Sequence, residues 1–542
     1  MVQAIPMKFS QILLLLMVSA SSSLSGDDRP NIVFLFADDW GRYASAYQEI
    51  EGPQSINALI DTPHFDRVAN EGALFSNAFV PAPSCTPCRS SLLSGRYFWN
   101  TGRAAILQGA VWDPEIPSYP LELEKSGYHI GYSYKVWTPG RPANAPYGAK
   151  RTAYHQGGTN FNRFSQYTSA KAPQSGVEEA KEDLYEEVRQ NFDAFIGDRK
   201  EGQPFCYWWG PTNTHRKWIK GSGKDIWGLD PDKLKGRLPP FLPDNHDVRE
   251  DVNDYLGECL AVDAGIGIIL KKLEDMGELD NTLVVISGDH GIPGIPRGKC
   301  NLYDLGTEVT LAARWPSKIK AGRIIDDFVN LLELAPTFLK AGQTAVPDGM
   351  SERDLMPLFL SKESGQIDDQ RDSVVVGRER HVASAREGLL PYPQRAIRTK
   401  DFLYIRNFEP DRWPMGSPGE MTDTHTPEWD KLVGNTFITF GDLDASPTKA
   451  WVIEHRNEPE NRIYYDYAFG KRPAEELFDL RTDSDYMNNV AEEADYQAIK
   501  RELSKELMNT LISEKDPRVT EDPVRYEHTP FTDSHIWQPA PS

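Results

Sequence analysis

Three runs of mostly apolar residues mark the chain, and each ends in polar side chains. Asn31-Ile32-Val33-Phe34-Leu35-Phe36 leads into Ala37-Asp38-Asp39. Phe205-Cys206-Tyr207-Trp208-Trp209 ends close to Asn213-Thr214-His215, and Thr282-Leu283-Val284-Val285-Ile286-Ser287 runs into Gly288-Asp289-His290-Gly291. Runs without polar alternation are strands covered on both faces, the usual condition of a parallel sheet. Between them the period changes. Val177 to Ile196 carries apolar residues at helical spacing, and so does Asp251 to Leu273, with Leu256, Leu260, Ile266 and Leu270 on or near one face. Strand, helix, strand in this order predicts an α/β fold with a large, mostly parallel sheet flanked by helices. In such sheets, sites form beyond the carboxyl ends of the strands, where all three runs place their polar residues.

The texture differs elsewhere. Residues 213–247 are rich in Gly, Pro, Lys and Trp and read as a long loop over the site. From about residue 370, Arg395-Ala396-Ile397-Arg398-Thr399 and Phe402-Leu403-Tyr404-Ile405-Arg406 flank Lys400-Asp401, the pattern of a tight hairpin. This predicts a smaller C-terminal domain with an antiparallel sheet, a helix over Ala491 to Ser513 packed on it, and an irregular Pro-rich stretch from Asp516. At the amino end, Lys8 precedes the apolar run Gln11 to Ala20, and mostly small residues follow from Ser21 to Gly26. A basic start, a short apolar run and a small-residue exit make a signal peptide. The run is too short to span a bilayer. No Cys follows it to take a lipid, and no later segment is apolar enough to cross a membrane. The expected division is therefore a signal peptide over 1–25, a catalytic domain over 26–370 and a C-terminal subdomain over 371–542. The product is expected to be exported, periplasmic or secreted, with no membrane anchor.

Composition narrows the partners. A chain of 542 residues is too long for one ordinary core. Apolar residues at 39% and aromatics at 11% fit a globular protein. A net charge of -21 disfavours nucleic acid and anionic lipid as partners. The five Cys are 85, 88, 206, 259 and 300. Export permits disulfides, but the odd count leaves the pairing open.

The densest chemical signal is Cys85-Thr86-Pro87-Cys88-Arg89-Ser90-Ser91-Leu92-Leu93-Ser94-Gly95-Arg96. Its Cys-x-x-Cys spacing suits a redox pair or half a zinc site. A second close Cys pair and a thioredoxin-like βαβ context are both missing, and a plain structural loop is the remaining simple reading. The same residues also carry a resemblance. Cys-x-Pro-x-Arg followed by Leu-x-Gly-Arg is similar to the signature of the type I sulfatases. Further matches follow in order: Arg29-Pro30-Asn31-Ile32-Val33-Phe34 to Asp38-Asp39-Trp40-Gly41, Gly288-Asp289-His290-Gly291, then Lys299, Tyr303-Asp304 and Arg314-Trp315-Pro316, and Glu476-Leu477-Phe478-Asp479-Leu480. The resemblance covers nearly the whole chain after the signal.

The resemblance implies an alkaline-phosphatase-like sulfatase fold and a sulfuric ester hydrolase. It implies that Cys85 is oxidised to formylglycine by a formylglycine-generating enzyme during export. Asp38, Asp39, Cys85, Asp289 and His290 would hold a divalent metal, and hard oxygen donors suit calcium, or magnesium, better than a soft ion. A hydroxyl of the hydrated formylglycine would attack sulfur, with Arg89 holding that residue, Lys135 and Lys299 neutralising sulfate oxygens and His215 protonating the leaving oxygen. One departure stands out: the family commonly has Lys-x-His where this chain has Lys135-Val136-Trp137.

Tyr134 to Gly140, Gly210 to Trp218 and Gly377-Arg378-Glu379-Arg380-His381 narrow the resemblance to a bacterial branch related to heparan N-sulfatase. Members of that branch act on polysaccharides, including algal ulvan, so a sulfated carbohydrate is the expected substrate. The acidic surface repels such a polymer at long range, which requires a local positive pocket. Arg378, Arg380, His381 and Arg386 read either as a sugar-binding cluster or as a solvated charge run. Trp137, Trp218 and Trp413 read as sugar-stacking walls or as packing residues. Two other functions compete. A phosphomonoesterase or phosphodiesterase on the same fold would use Ser or Thr and two zinc ions with several His ligands. A decayed, carbohydrate-binding relative would rest on Trp137 alone.

Overall fold

The three apolar runs lie side by side at the centre of one sheet. The structure, a computed structural model, describes Met1 and residues 29–533, so the expected signal peptide lies almost wholly outside the described residues. The first nine strands are β1 (Asn31–Ala37), β2 (Ala73–Phe75), β3 (Ala78–Phe79), β4 (His129–Tyr134), β5 (Phe205–Gly210), β6 (Thr282–Gly288), β7 (Leu311–Arg314), β8 (Arg323–Ile325) and β9 (Val329–Asn330). Seven of them form a sheet in the order β4-β5-β1-β6-β7-β2-β8, and β3 pairs with β9. β4, β5, β1 and β6 are mutually parallel, and β7 runs against both its neighbours. Val33 faces Tyr207 on one side and Val284 on the other.

Both faces of this sheet are dry. Val33, Leu35, Tyr207, Trp209, Val284 and Ile286 pack with the helices Val177–Gly197 and His246–Asp275. Ile32, Phe34, Phe36, Trp208, Leu283 and Val285 pack with the helices Cys85–Ser94 and Leu334–Ala341. Successive side chains of a strand point to opposite faces, so covering both faces calls for the unbroken apolar runs found in the sequence.

The helix His246–Asp275 starts earlier than its apolar periodicity indicates, because the Asn245 side chain accepts from the Val248 amide at 3.1 Å. It also carries buried carboxyls that fasten neighbouring loops. Asp254 accepts from the amides of Gly221 and Gly223. Glu258 accepts from the Asn213 side chain at 2.9 Å and from the Ser165 amide. Asp263 accepts from the amides of His64 and Phe65, at the start of the helix Pro63–Asn70. The stretch expected as a loop over 213–247 contains a short helix, Ser222–Trp227, held down by these contacts.

A second sheet, wholly antiparallel, has the order β10 (Ser373–Arg378), β11 (Gln394–Thr399), β12 (Phe402–Asn407), β13 (Glu475–Asp479). β11 and β12 are the hairpin expected around Lys400-Asp401. The last long helix is Gln497–Ser513, six residues shorter at its start than expected. The Gln497 amide group donates to the carbonyls of Ala491 and Glu493, which bends the preceding segment away from helix. Leu503, Leu507 and Leu511 pack on Val375, Ile397, Tyr404 and Leu477, and the same core takes in Phe98, Trp99 and Ile106. All five cysteines are free and buried. No helix of the described residues is long and apolar enough to cross a membrane.

The buried carboxyls of the long helix make stability depend on pH. Burial pushes Glu258 up from 4.5 to about 7, against the hydrogen bonds from Ser165 and Asn213. A carboxyl raised on folding contributes stability that is fully present below its unfolded value and is lost as pH rises through its folded one. Denaturant unfolding is therefore expected to show stability declining between pH 5 and pH 8. In Glu258→Gln, which has no proton to lose, that decline should be smaller by on the order of 1–3 kcal/mol. Parallel curves for the two proteins would show that Glu258 ionises alike in both states.

Candidate active site

The site forms where the carboxyl ends of β1 and β6 meet the start of the helix Cys85–Ser94. The two strand ends are pressed together. A side chain at Gly288 would place its Cβ 1.9 Å from the Trp40 carbonyl oxygen, and one at Gly291 would lie 1.7 Å from that of Leu305. Only glycine admits such close backbone approach. Asp39 turns the chain in the left-handed region, with φ of 58°. Its amide donates to Asp289 Oδ1 at 2.7 Å, and the Asp289 amide donates to the Ala37 carbonyl.

Asp39, Cys85, Asp289 and His290 bring one donor atom each to within 4.8 Å of one another, all buried. His290 Nε2 lies 3.2 Å from Asp39 Oδ1, 3.5 Å from Asp289 Oδ1 and 3.3 Å from Cys85 Sγ. Asp38 stands beside this group rather than in it. Its Oδ1 accepts from Arg89 Nη2 at 3.0 Å and from Lys135 Nζ at 2.5 Å. Arg89 also donates to Asp289 Oδ2 at 2.7 Å and to the Val136 carbonyl at 2.9 Å, so it ties both strand ends to the next loop.

The charges divide unevenly. Burial alone would raise Asp38, but Lys135 and Arg89 outweigh it and hold the carboxyl well below the usual range. Burial raises Asp289 in spite of Arg89. Two carboxylates, an imidazole and the Cys85 position make a donor set that fits a divalent cation. Burial, followed by the nearby carboxylates, pushes the thiols of Cys85 and Cys88 well above the ordinary range. A redox Cys-x-x-Cys pair needs the opposite.

Lys299 Nζ lies 3.0 Å from Asp39 Oδ2 and 3.3 Å from Asp444 Oδ2. His215 closes this side: its Nε2 is 3.9 Å from Asp39 Oδ2, and its Nδ1 donates to the Arg216 carbonyl at 2.7 Å. The His215 side chain is 37% exposed, the most open group in the cluster. Arg216 anchors it through a two-point ion pair with Asp251 on the long helix. Asp39, His215 and Asp444 form a second group of metal-type donors, but the Lys299 ammonium already sits against both carboxylates. A cavity of about 530 Å³ opens between Asp38, Lys135, Thr138, His155 and His215. A larger one of about 650 Å³, lined by Arg96, Glu333, Arg353 and Glu506, contains none of these residues.

The residues around 380 do not form a solvated run. Arg378, Arg380, His381 and Arg386 are all buried. Arg378 and Arg386 share Asp442, at 2.5 and 2.7 Å. Arg380 donates to the carbonyls of Gln108 and Leu389. His381 reaches the nucleophile position indirectly: its Nδ1 is 2.7 Å from the hydroxyl of Ser84, next to Cys85, and burial pushes it down to about 3, hence neutral. Trp137 is fully buried, edge-on to Trp112, with its indole N–H on the Pro142 carbonyl. It lines no sugar surface. Sequence reasoning missed Asp442, Asp444 and Ser84. Gly441-Asp442-Leu443-Asp444 follows no strand and has no periodicity, so only its tertiary contacts reveal it.

Comparison with known proteins agrees with this geometry. The sulfatase family model matches residues 30–344. An ulvan-active sulfatase of Formosa agariphila is 23% identical, over 90% of this chain and 75% of its own length. Human N-sulphoglucosamine sulphohydrolase is 24% identical, over 90% of this chain and 91% of its own. A solved structure of a protein holding its substrate D-glucosamine-2-N,6-O-disulfate superposes with a TM-score of 0.58 at 18% identity, over 91% of this chain and 100% of that one. The fold is the alkaline-phosphatase-like sulfatase fold. With more than half its length matched by the family model, and with the motif residues gathered at one pair of strand ends, the chain belongs to the sulfatase family and is a hydrolase of sulfate esters.

Proposed function

We propose that this protein is an exported carbohydrate sulfatase that uses a formylglycine made from Cys85 and one divalent cation to release sulfate from a sulfated poly- or oligosaccharide such as ulvan. The observation that carries this reading is Cys85 itself. It starts a buried helix inside a group of metal-type donors, with two lysines and a histidine facing the same space. The ulvan-active relatives support the substrate class, and the apolar run before Ala20 supports export.

Asp39, Asp289, His290 and the converted Cys85 would hold the cation, calcium or magnesium, with the Asp38 carboxylate expected as a ligand standing alongside them; the cation would supply Lewis-acid polarisation. Formylglycine supplies, as its hydrate, an oxygen nucleophile where the thiol stands. The chain's own side chains do the rest. Arg89 commits its donors to Asp38, Asp289 and Val136, so it fixes the carboxylates around residue 85. Lys135 and Lys299 approach from opposite carboxylates, Asp38 and Asp39, and neutralise the sulfonyl oxygens as charge builds on them. His215 has its Nδ1–H hydrogen bonded to the Arg216 carbonyl, so the imidazolium form presents its Nε2–H to the departing sugar oxygen and is left as the neutral Nδ1–H imidazole once that proton is passed on. Arg378, Arg380 and His381 contribute by shaping the wall behind Ser84, each held there by a hydrogen bond to a protein partner.

Sulfate release from a panel of sulfated oligosaccharides should be abolished in Cys85→Ala. Mass spectrometry of the matured wild type should show the Cys85 peptide as aldehyde; full activity with an intact thiol would overturn the nucleophile assignment. Metal analysis should find one divalent ion per chain, lost together with activity on chelation, whereas two zinc ions would favour a phosphoesterase. His215→Ala should lose about 10²–10⁴-fold in turnover of sugar sulfates. The loss should be much smaller for an aryl sulfate, whose phenolate leaves without a proton. Equal losses on both substrates would remove His215 from the acid role.

A further inference from the structure

Asp444 has a place in the site but no role in the chemistry above. It lies between the turn Thr436–Ile438 and the helix Pro447–Glu454, in a segment pinned from three directions. The buried ammonium of Lys449 donates to the carbonyls of Thr436, Phe440 and Leu443, at 3.3, 3.2 and 2.7 Å. The Ser446 hydroxyl donates to the Gly294 carbonyl at 2.7 Å. Asp442 is held by Arg378, Arg386 and the Val382 amide. Together these contacts fix the backbone on both sides of Asp444.

The carboxylate is half used. Oδ2 is buried against Lys299 at 3.3 Å, so the 15% exposure of the side chain belongs to its other atoms. No other described residue hydrogen bonds to this side chain. A carboxylate oxygen of Asp444, a ring nitrogen of His215 and a carboxylate oxygen of Asp39 all lie within 4.8 Å of one another. His215 marks where the ester oxygen leaves. Oxygens on adjacent carbons of a sugar ring lie about a hydrogen-bond length apart, so the group next to the sulfated position comes within reach of Asp444. An ionised carboxylate only accepts hydrogen bonds. It favours a hydroxyl or ammonium there and repels a second sulfate.

We infer that Asp444 makes this site selective for sulfate esters whose neighbouring ring position carries a free hydrogen-bond donor, and against those whose neighbour is itself sulfated. The inference rests on the sulfatase reading with His215 as the leaving-group acid. Asp444 is then a specificity residue, and its contact with Lys299 aims it.

The test uses matured full-length protein and a set of monosaccharide sulfates. Each is prepared in three forms, with the adjacent position as free hydroxyl, methyl ether or sulfate. Wild type should prefer the hydroxyl form over the methyl ether by about 10–100-fold in kcat/KM, the range of a hydrogen bond to a charged group. The disulfate should be poorer still. Asp444→Asn should lower kcat/KM for the hydroxyl form and shrink its advantage over the disulfate by about tenfold or more. If Asp444 only positions Lys299, all three substrates fall by one factor and the ratios stand, which overturns the inference. Equal rates of wild type on the three forms overturn it as well, whether or not the variant folds. Release from none of the sugar sulfates is a different result: it removes the carbohydrate sulfatase reading, and this inference with it.

Discussion

Three carboxylates, Asp38, Asp39 and Asp289, sit at zero or one per cent exposure between two strand ends, and the site is organised by what that costs. Removing an ion from water carries a penalty of several kcal/mol even after relaxation, so each must find positive charge close by. Arg89 spans Asp38 and Asp289, Lys135 takes the other side of Asp38, and Lys299 takes Asp39. The cations cannot reach every oxygen equally. Asp38 is held ionised by two of them, while Asp289 is left with its carboxyl raised. The two acidic turns share one small volume because Gly288, at the end of β6, lets the Trp40 carbonyl beyond β1 come against it.

The same concentration of charge resolves a tension set by the whole chain. A protein with a net charge of -21 repels a sulfated polymer at a distance. Within the site cationic groups face the incoming anion, because Lys135 and Lys299 remain protonated where burial alone would strip them of charge. Burial pulls both down, and the adjacent carboxylates, Asp38 for Lys135 and Asp39 for Lys299, lift them above the usual lysine value. The acidic cluster is therefore what keeps the anion-binding groups cationic. Attraction acts only over the last few ångströms, after the outer surface has been passed.

The central strands were legible because each is a continuous apolar run whose chemistry sits at its own end, so local order and function coincide. The helix His246–Asp275 was legible from its apolar stripe, but its true start was not: that depends on Asn245, one polar residue outside the periodic pattern. Arg378 and Arg386 could not be assigned from sequence, because a basic run looks the same whether solvated or buried. Their state is fixed by Asp442, more than fifty residues away. Trp137 was flagged as a departure from the family pattern, and the structure gives it a packing partner, Trp112. His381, which the sequence left open between a sugar-binding cluster and a solvated charge run, is buried with its ring against Ser84, which precedes Cys85.

The C-terminal third of the chain is more than an attachment to a catalytic core. His381 reaches Ser84, Arg378 holds the Cys300 carbonyl, and Asp444 meets Lys299. Each contact lands one residue from a proposed catalytic group, or on it. Arg378 comes from the end of β10, but the segments carrying His381 and Asp444 are irregular, and irregular backbone buries carbonyls that no helix or strand satisfies. Lys449 answers that demand by donating to three carbonyls at once. Burial lowers its pKa to about 7, so the segment is held by an amine brought close to losing its proton. The residue that this loop sets most directly is Asp444.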